Sequence, residues 1–283
     1  MKIFLLNPPY KKYFIRSARW TAISISGSNW YPIWLAYCAS LLEKKGHEVK
    51  LLDALAEGLS LKDTARFVNE FLPEILVVYA SMDSLESDVG LVDIIKESIK
   101  DVKVVFVGPW ASAYCEEMIA YPNVDMLAVG EFDYTILEIA EKRQLSDIRG
   151  LCWKDGLKVI KNELREGVSE KELGEFGFVT DVYRRHLNIK KYFQAPHLYP
   201  FIDLFTGRGC IWGKCNFCLW PHTITKSSHY RKRDIKDVME ELCFVKKELP
   251  YVKEIFLQDD TLPQDRAVEI SEAILKSGLK ITW

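Results

Sequence analysis

Cys210, Cys215 and Cys218 stand together in the run Cys210-Ile-Trp-Gly-Lys-Cys215-Asn-Phe-Cys218. Three soft thiolates suit zinc or an iron–sulfur cluster far better than a hard ion. A structural zinc site takes a fourth ligand, and His222 and His229 lie downstream at usable distance. Three ligands alone leave one iron of a [4Fe–4S] cluster open, and an open iron can bind and reduce a substrate. The other four cysteines, Cys38, Cys115, Cys152 and Cys243, lie singly in apolar patterns and read as small buried hydrophobes. The chain opens on a short apolar stretch that ends at Asn7-Pro8-Pro9, a first strand and not an export signal. A reducing, cytoplasmic compartment without a disulfide framework is therefore expected.

The elements that must carry this loop can be read from periodicity. The 283 residues hold 38 Lys+Arg against 40 Asp+Glu, a formal charge of −2, and 48% are hydrophobic. That balance argues against a nucleic-acid-coating protein. No apolar run reaches ~18 residues, so no membrane span is expected. Short β-branched runs at Lys2–Leu6, Glu48–Leu52, Ile75–Tyr79, Val102–Val107 and Asp125–Val129 alternate with helical patterns at Ile33–Lys45, Leu61–Phe71, Ser84–Lys100, Ala111–Ala120 and Tyr134–Glu141. Residues 1–147 thus form a flavodoxin-like α/β domain with a parallel sheet. Residues 148–199 hold a β-hairpin turning at Asp155-Gly156, then a connector with a short helix near Asp181–His186. From residue 200 alternation resumes: strand Phe201–Phe205, the cysteine loop, helix Ile235–Lys247, strand Lys253–Leu257, helix Gln264–Lys276 and a strand from Leu279. Residues 200–283 read as the first part of a (β/α) barrel cut short at its C-terminal side.

A strand followed by Gly207-Arg208-Gly209-Cys210, with Phe217 directly before the last cysteine, resembles the radical S-adenosylmethionine (AdoMet) enzymes. The resemblance implies that Cys210, Cys215 and Cys218 hold a [4Fe–4S] cluster whose fourth iron chelates AdoMet, with Phe217 near the adenine. The spacing departs from the family's by one residue between the first two cysteines, which Gly213 can absorb as a bulge. Tyr230-Arg231-Lys232-Arg233-Asp234 and Phe256-Leu257-Gln258-Asp259-Asp260-Thr261 resemble the branch with an N-terminal cobalamin-binding domain. By that resemblance Asp259 or Asp260 contacts the AdoMet amino group. The plainer readings are a helix cap for the aspartates and a solvated basic face for Lys226–Arg233.

Residues 1–147 resemble the cobalamin module of the same branch at Asn7-Pro8-Pro9, Lys45-Gly46-His47-Glu48-Val49, Ala80-Ser81-Met82, Gly108-Pro109 and Gly130-Glu131. Most of these are loops at the carboxyl ends of parallel strands, where open α/β sheets take their ligands. Asn7, Ser81, Gly108, Gly130 and Glu131 are the implied cobalamin contacts. The histidine that replaces the cofactor's base in the best-known module has Leu55 at its place, in Asp53-Ala54-Leu55-Ala56-Glu57-Gly58, so cobalamin here would lack an imidazole ligand from that stretch. His47, at the start of a strand, is a poor substitute. The aromatic-rich stretch Trp20–Trp34 walls a cofactor cavity or packs in the core.

The resemblance implies a cobalamin-dependent radical AdoMet enzyme, a methyltransferase in the first instance, acting on a small-molecule or peptide substrate with an electron donor such as flavodoxin or ferredoxin. Two other readings stay open: a cofactor-binding module without turnover, and a zinc-stabilised α/β protein.

Overall fold

A computed structural model describes residues 1–16, 21–225 and 229–283; Trp20 and Lys226 lie outside them. Five parallel strands, β1 (Lys2–Asn7), β2 (Glu48–Asp53), β3 (Ile75–Tyr79), β4 (Lys103–Val107) and β5 (Met126–Ala128), lie in the order β2-β1-β3-β4-β5. Their apolar runs are buried on both faces by helices. The helices are α1 (Ile33–Lys44), α2 (Leu61–Phe71), α3 (Leu85–Ser98), α4 (Pro109–Ala113), α5 (Cys115–Ile119) and α6 (Asp133–Ala140). Helices α1 and α6 share one apolar cluster, and α2 to α5 contribute to the other.

The expected helix Ala111–Ala120 is two short helices. Pro109 starts the first, since a missing N–H is harmless at a helix start, and Tyr114 (φ −128°, ψ 48°) breaks the chain between them. The hairpin, β6 (Leu151–Asp155) and β7 (Lys158–Lys161), does not stand alone in the connector. It adds to β5 in antiparallel fashion and extends the sheet to seven strands.

After the connector helix α7 (Val179–His186), β8 (Phe201–Leu204) pairs in parallel with β9 (Glu254–Leu257). Helices α8 (Leu219–Thr223), α9 (Ile235–Glu248) and α10 (Gln264–Ser277) complete this part. The strand expected from Leu279 does not form among the described residues; there Ile255 N–H donates to Thr282 O at 2.9 Å.

The two parts share one core. Helix α1 is apolar on nearly every side because it is covered on nearly every side: Ile33 to Leu42 are all buried, between the first sheet and β8. Tyrosines at this seam satisfy the backbone of β8 and the residue after it. Tyr31 Oη donates to Phe201 O (2.8 Å), and Phe205 N–H donates to Tyr37 Oη (2.9 Å). Tyr31 also stacks between Tyr183 and Tyr192.

Asp203, buried on β8, accepts from Tyr183 Oη at 2.8 Å. Burial pushes its carboxyl up to about 7. An unfolded Asp ionises near 4, so between pH ~4 and ~7 the folded chain keeps a proton that the unfolded chain has released, and stability falls as pH rises. Asp203→Asn keeps the acceptor and removes the titration. It is expected to stabilise by about 3–4 kcal/mol at pH 8 and by nearly nothing at pH 3.5, read by urea unfolding at both.

Candidate functional site

The cysteine loop leaves the carboxyl end of β8 and is pinned from both sides. Asp259, just past β9, accepts from Thr206 N–H, Thr206 Oγ1 and Tyr230 Oη, each at 2.6 Å. Its oxygens thus tie the two strand ends together and do not face outward. Gly207 and Arg208 pair antiparallel with Lys232 and Arg231. A Cβ on Gly207 would run into the Tyr230 ring and the Arg231 carbonyl, and Gly209, at φ +89°, lies directly against the His229 carbonyl. Both glycines are therefore required by the crossing of the 229–232 segment.

Beyond this point Cys210, Cys215 and Cys218 are half-buried free thiols on one loop. Partial burial works against the Cys210 thiolate, but the Thr261 hydroxyl and the N–H groups of Gly213 and Trp212 outweigh it and hold the thiol below its usual range. Asp260 stands near enough for its charge to oppose that thiolate. Gly213, at φ +57°, takes the left-handed conformation the longer spacing needs. The three sulfurs do not converge: among the described residues no group of three His, Cys, Asp or Glu side chains is placed to hold a metal ion. His222 Nε2 is engaged with Cys215 O at 3.0 Å. Ile211, Trp212 and Phe217 are exposed at the rim, Phe217 to 89%. The fit to a cluster rests on the donor set, three soft thiols at a strand's carboxyl end. The buried Gln258 Oε1 at the end of β9, with no protein partner, leaves an acceptor for a ligand beside it.

The facing edge is that of the first sheet. Gly108 (φ +106°) and Gly130 (φ +80°) follow β4 and β5, and a Cβ on Gly108 would meet Ala80 O at 3.1 Å. Ser81, after β3, bonds to Ser84 at 2.6 Å. The crevice between β1 and β3 holds Arg16, whose guanidinium donates to Asn7 Oδ1 (3.1 Å), Pro8 O (2.7 Å), Ser84 Oγ (2.8 Å) and Asp88 Oδ1 (3.1 Å). Asn7 in turn donates to Asp53 at 2.8 Å. Asn7 is thus a brace within the crevice. Two buried polar atoms at this edge, Arg16 Nε and Tyr79 Oη, have no protein partner. These unpartnered polar atoms fit a polar cofactor laid on this edge, whereas Gly108 and Gly130 are buried against Ala80, Tyr79 and Ile224. Leu55 lines a narrow cavity of about 10 Å³ with Asn7, Arg16, Trp30 and Asp53. His47 lies at the amino ends of the strands, its Nδ1 3.3 Å from the Met1 amino group, and cannot reach the carboxyl edge.

Glu131 does not face this edge either. It accepts from Val168 N–H (2.8 Å) and from Arg231 Nη1 (3.0 Å) and Nη2 (2.5 Å), so it bridges the two parts. Arg208 is fully buried beside it, paired to Asp133 at 2.6 Å and ringed by Trp34, Tyr37, Phe176 and Phe205. Arg233 is buried as well, on Glu241 (2.7 Å) and Asp237 (2.6 Å). In the described part of the basic stretch Arg231 and Arg233 thus turn inward, while His229 and Lys232 remain exposed.

The seam brings the two edges together. Helix α8, directly after Cys218, packs on α4, directly after Gly108. The Ile224 carbonyl would lie 3.4 Å from a Cβ on Gly130.

A B12 binding domain model matches residues 20–140. An uncharacterized methyltransferase of Pyrococcus horikoshii is 31% identical over 294 aligned residues, covering 100% of this chain and 59% of its own length. The cobalamin-dependent AdoMet radical enzyme OxsB, solved with aqua-cobalamin and AdoMet bound, superposes with a TM-score of 0.70 at 17% identity, covering 99% of this chain and 38% of its own. The radical AdoMet methyltransferase TsrM of Kitasatospora setae, solved with cobalamin and a [4Fe–4S] cluster, gives a TM-score of 0.68 at 14% identity over 99% of this chain and 53% of its own. The chain thus spans little more than half the length of the relative it matches and shares the fold of both structures. Residues 20–140 are thus similar to a B12 binding domain, and the chain along its whole length is similar to this methyltransferase relative.

Proposed function

We propose that this chain provides the cofactor-binding core of a cobalamin-dependent radical AdoMet methyltransferase. The observation that carries the reading is the contact of α8 on α4. It sets the cysteine loop beside the glycine-lined strand ends of the first sheet. Cys210, Cys215 and Cys218 would hold the [4Fe–4S] cluster, and Asp260, beside Cys210, would accept from the AdoMet amino group. The exposed Phe217 ring is available to cover the adenine. Ser81, Gly108 and Gly130 would carry cobalamin, with no imidazole from position 55. When bound, the cluster and AdoMet supply a 5′-deoxyadenosyl radical and cobalamin supplies the methyl group. The protein's own part is to fix one edge against the other through Glu131, Asp133, Arg208 and Arg231, while Asn7 and Asp259 brace the strand ends behind them. The substrate is a small molecule or peptide, and a flavodoxin or ferredoxin in a reducing cytoplasm supplies the electron.

Anaerobic purification and reconstitution is expected to give about four irons and four sulfides per chain, with near-complete loss in Cys215→Ala. Hydroxocobalamin is expected to bind without the spectral signature of a protein histidine on cobalt. Stoichiometric zinc with no brown colour would sink the cluster assignment and favour a zinc-stabilised protein. Release of 5′-deoxyadenosine from AdoMet separates an enzyme from a binding module.

A further inference from the structure

Cys115 and Cys152, read from the sequence as separate buried hydrophobes, come together where α5 packs on β6. Cys152 lies on β6, 1% exposed, opposite Lys161 in the β6–β7 register. Cys115 opens α5, which packs on β6, and is half-buried against the same apolar cluster that contains Cys152. The packing of α5 on β6 makes the two side chains neighbours, and the Cys115 thiol is near enough to raise that of Cys152. Lys161, opposite Cys152, donates through its ammonium at 2.5 Å to Oε1 of Glu116, the residue next to Cys115, which ties the two cysteine positions together. We propose that Cys115 and Cys152 are a dithiol site that closes to a reversible disulfide on reaction with a low-molecular-weight disulfide.

The asymmetry of the pair sets the order of events. Cys115 has an open side and meets the reagent first. Its thiolate attacks one sulfur of R–S–S–R, and one thiolate leaves and takes up the proton that Cys115 released. The sulfur of Cys152 then attacks the Cys115 sulfur of the mixed disulfide and expels the second thiolate, which takes up the proton that Cys152 gives up. The chain gives up two electrons and two protons, and R–S–S–R becomes two R–SH. Burial first, and the neighbouring Cys115 second, push the Cys152 thiol up to about 12. Cys152 therefore rests as a thiol sealed from reagents and reacts through its neighbour. The bond would tie α5, and α4 with it through Tyr114, to β6. Helix α4 touches both the Gly108 turn and α8, so the oxidation state of this pair bears on the seam between the two parts.

The test uses the intact reduced chain, incubated with oxidised glutathione, quenched with acid and digested without reductant for mass spectrometry. A linked Cys115–Cys152 peptide, abolished by dithiothreitol, is expected, with the loss of two thiols at these positions. Cys152→Ser should instead accumulate glutathione on Cys115 at least about tenfold above the wild-type level. Cys115→Ser should leave Cys152 unmodified, and this exposed-side variant decides the matter if Cys152→Ser fails to fold. A lasting glutathione adduct on wild-type Cys115 with no link to Cys152, or direct glutathionylation of Cys152 in Cys115→Ser, overturns the proposal. These peptide-level readouts do not depend on cluster, cobalamin or activity.

Discussion

Arg208→Ala is expected to destabilise the chain by about 3–5 kcal/mol, enough to consume much of a typical fold's margin. The side chain has no access to water, and its partner Asp133 is equally buried. The local charges balance as two guanidiniums, Arg208 and Arg231, against two carboxylates, Glu131 and Asp133. Removing one cation leaves a carboxylate in a dry interior with no route to solvent. The four rings around the guanidinium, centred 5.0 to 5.9 Å from it, lose their cation as well as their packing. If uncompensated charge dominates, Arg208→Met with Asp133→Asn should recover more than half of the loss, because the cavity is refilled and no lone charge remains. Urea unfolding of the three proteins decides this. A double variant as unstable as Arg208→Ala would show that ring packing, not charge, governs the seam. Because one apolar cluster runs through both parts, a single unfolding transition is expected in each case.

The origin of that seam marks what was legible in the sequence. Apart from the strand expected from Leu279, the expected strands lie within a residue or two of those observed, because they depend on local patterns. β3, for instance, is Ile75–Tyr79 both by periodicity and in the fold. The hairpin at Asp155-Gly156 and the cysteine loop were readable for the same reason. Pairings across long stretches of chain were not. Glu131 and Asp259 occupy loop positions where a ligand contact is the natural expectation, and each is committed to partners far away in sequence: Arg231 for the first, Thr206 and Tyr230 for the second. Arg231 and Arg233 look like surface charge until Glu131, Asp237 and Glu241 are seen to surround them. One signal was available: Gly207 and Gly209 flank an arginine, a spacing that lets another segment cross close by, as Tyr230 and His229 do. Trp34 is core at the Arg208 cage, whereas Trp30 lines the small pocket with Leu55. Of the four single cysteines, Cys243 is exposed on α9, against the expectation of burial.

Arg16→Ala should produce a loss of similar size with a distinct pH signature. Arg16 and Asp88 have no side-chain exposure and stand 3.1 Å apart. Burial pushes the Asp88 carboxyl up to about 6, with Arg16 and Ser84 pulling the other way. In the wild type the folded chain holds this proton between pH ~4 and ~6 while the unfolded chain has lost it, so stability falls through that window and is level above it. Without Arg16 the opposing pull is gone and the carboxyl moves higher, so the fall continues past pH 6. The difference between variant and wild type should therefore grow with pH: about 1 kcal/mol near pH 4.5, mainly from lost hydrogen bonds, and about 3–5 kcal/mol at pH 8. Asp88→Asn in the Arg16→Ala background should flatten the profile. Urea midpoints across this range read the effect, and an equal loss at both ends would refute the charge argument. The same variant frees Asn7 and Ser84 at the crevice between β1 and β3. If cobalamin lies on this edge, its affinity in Arg16→Ala should drop at pH values where the chain is still folded, because the strand ends that carry the ligand are no longer braced against each other.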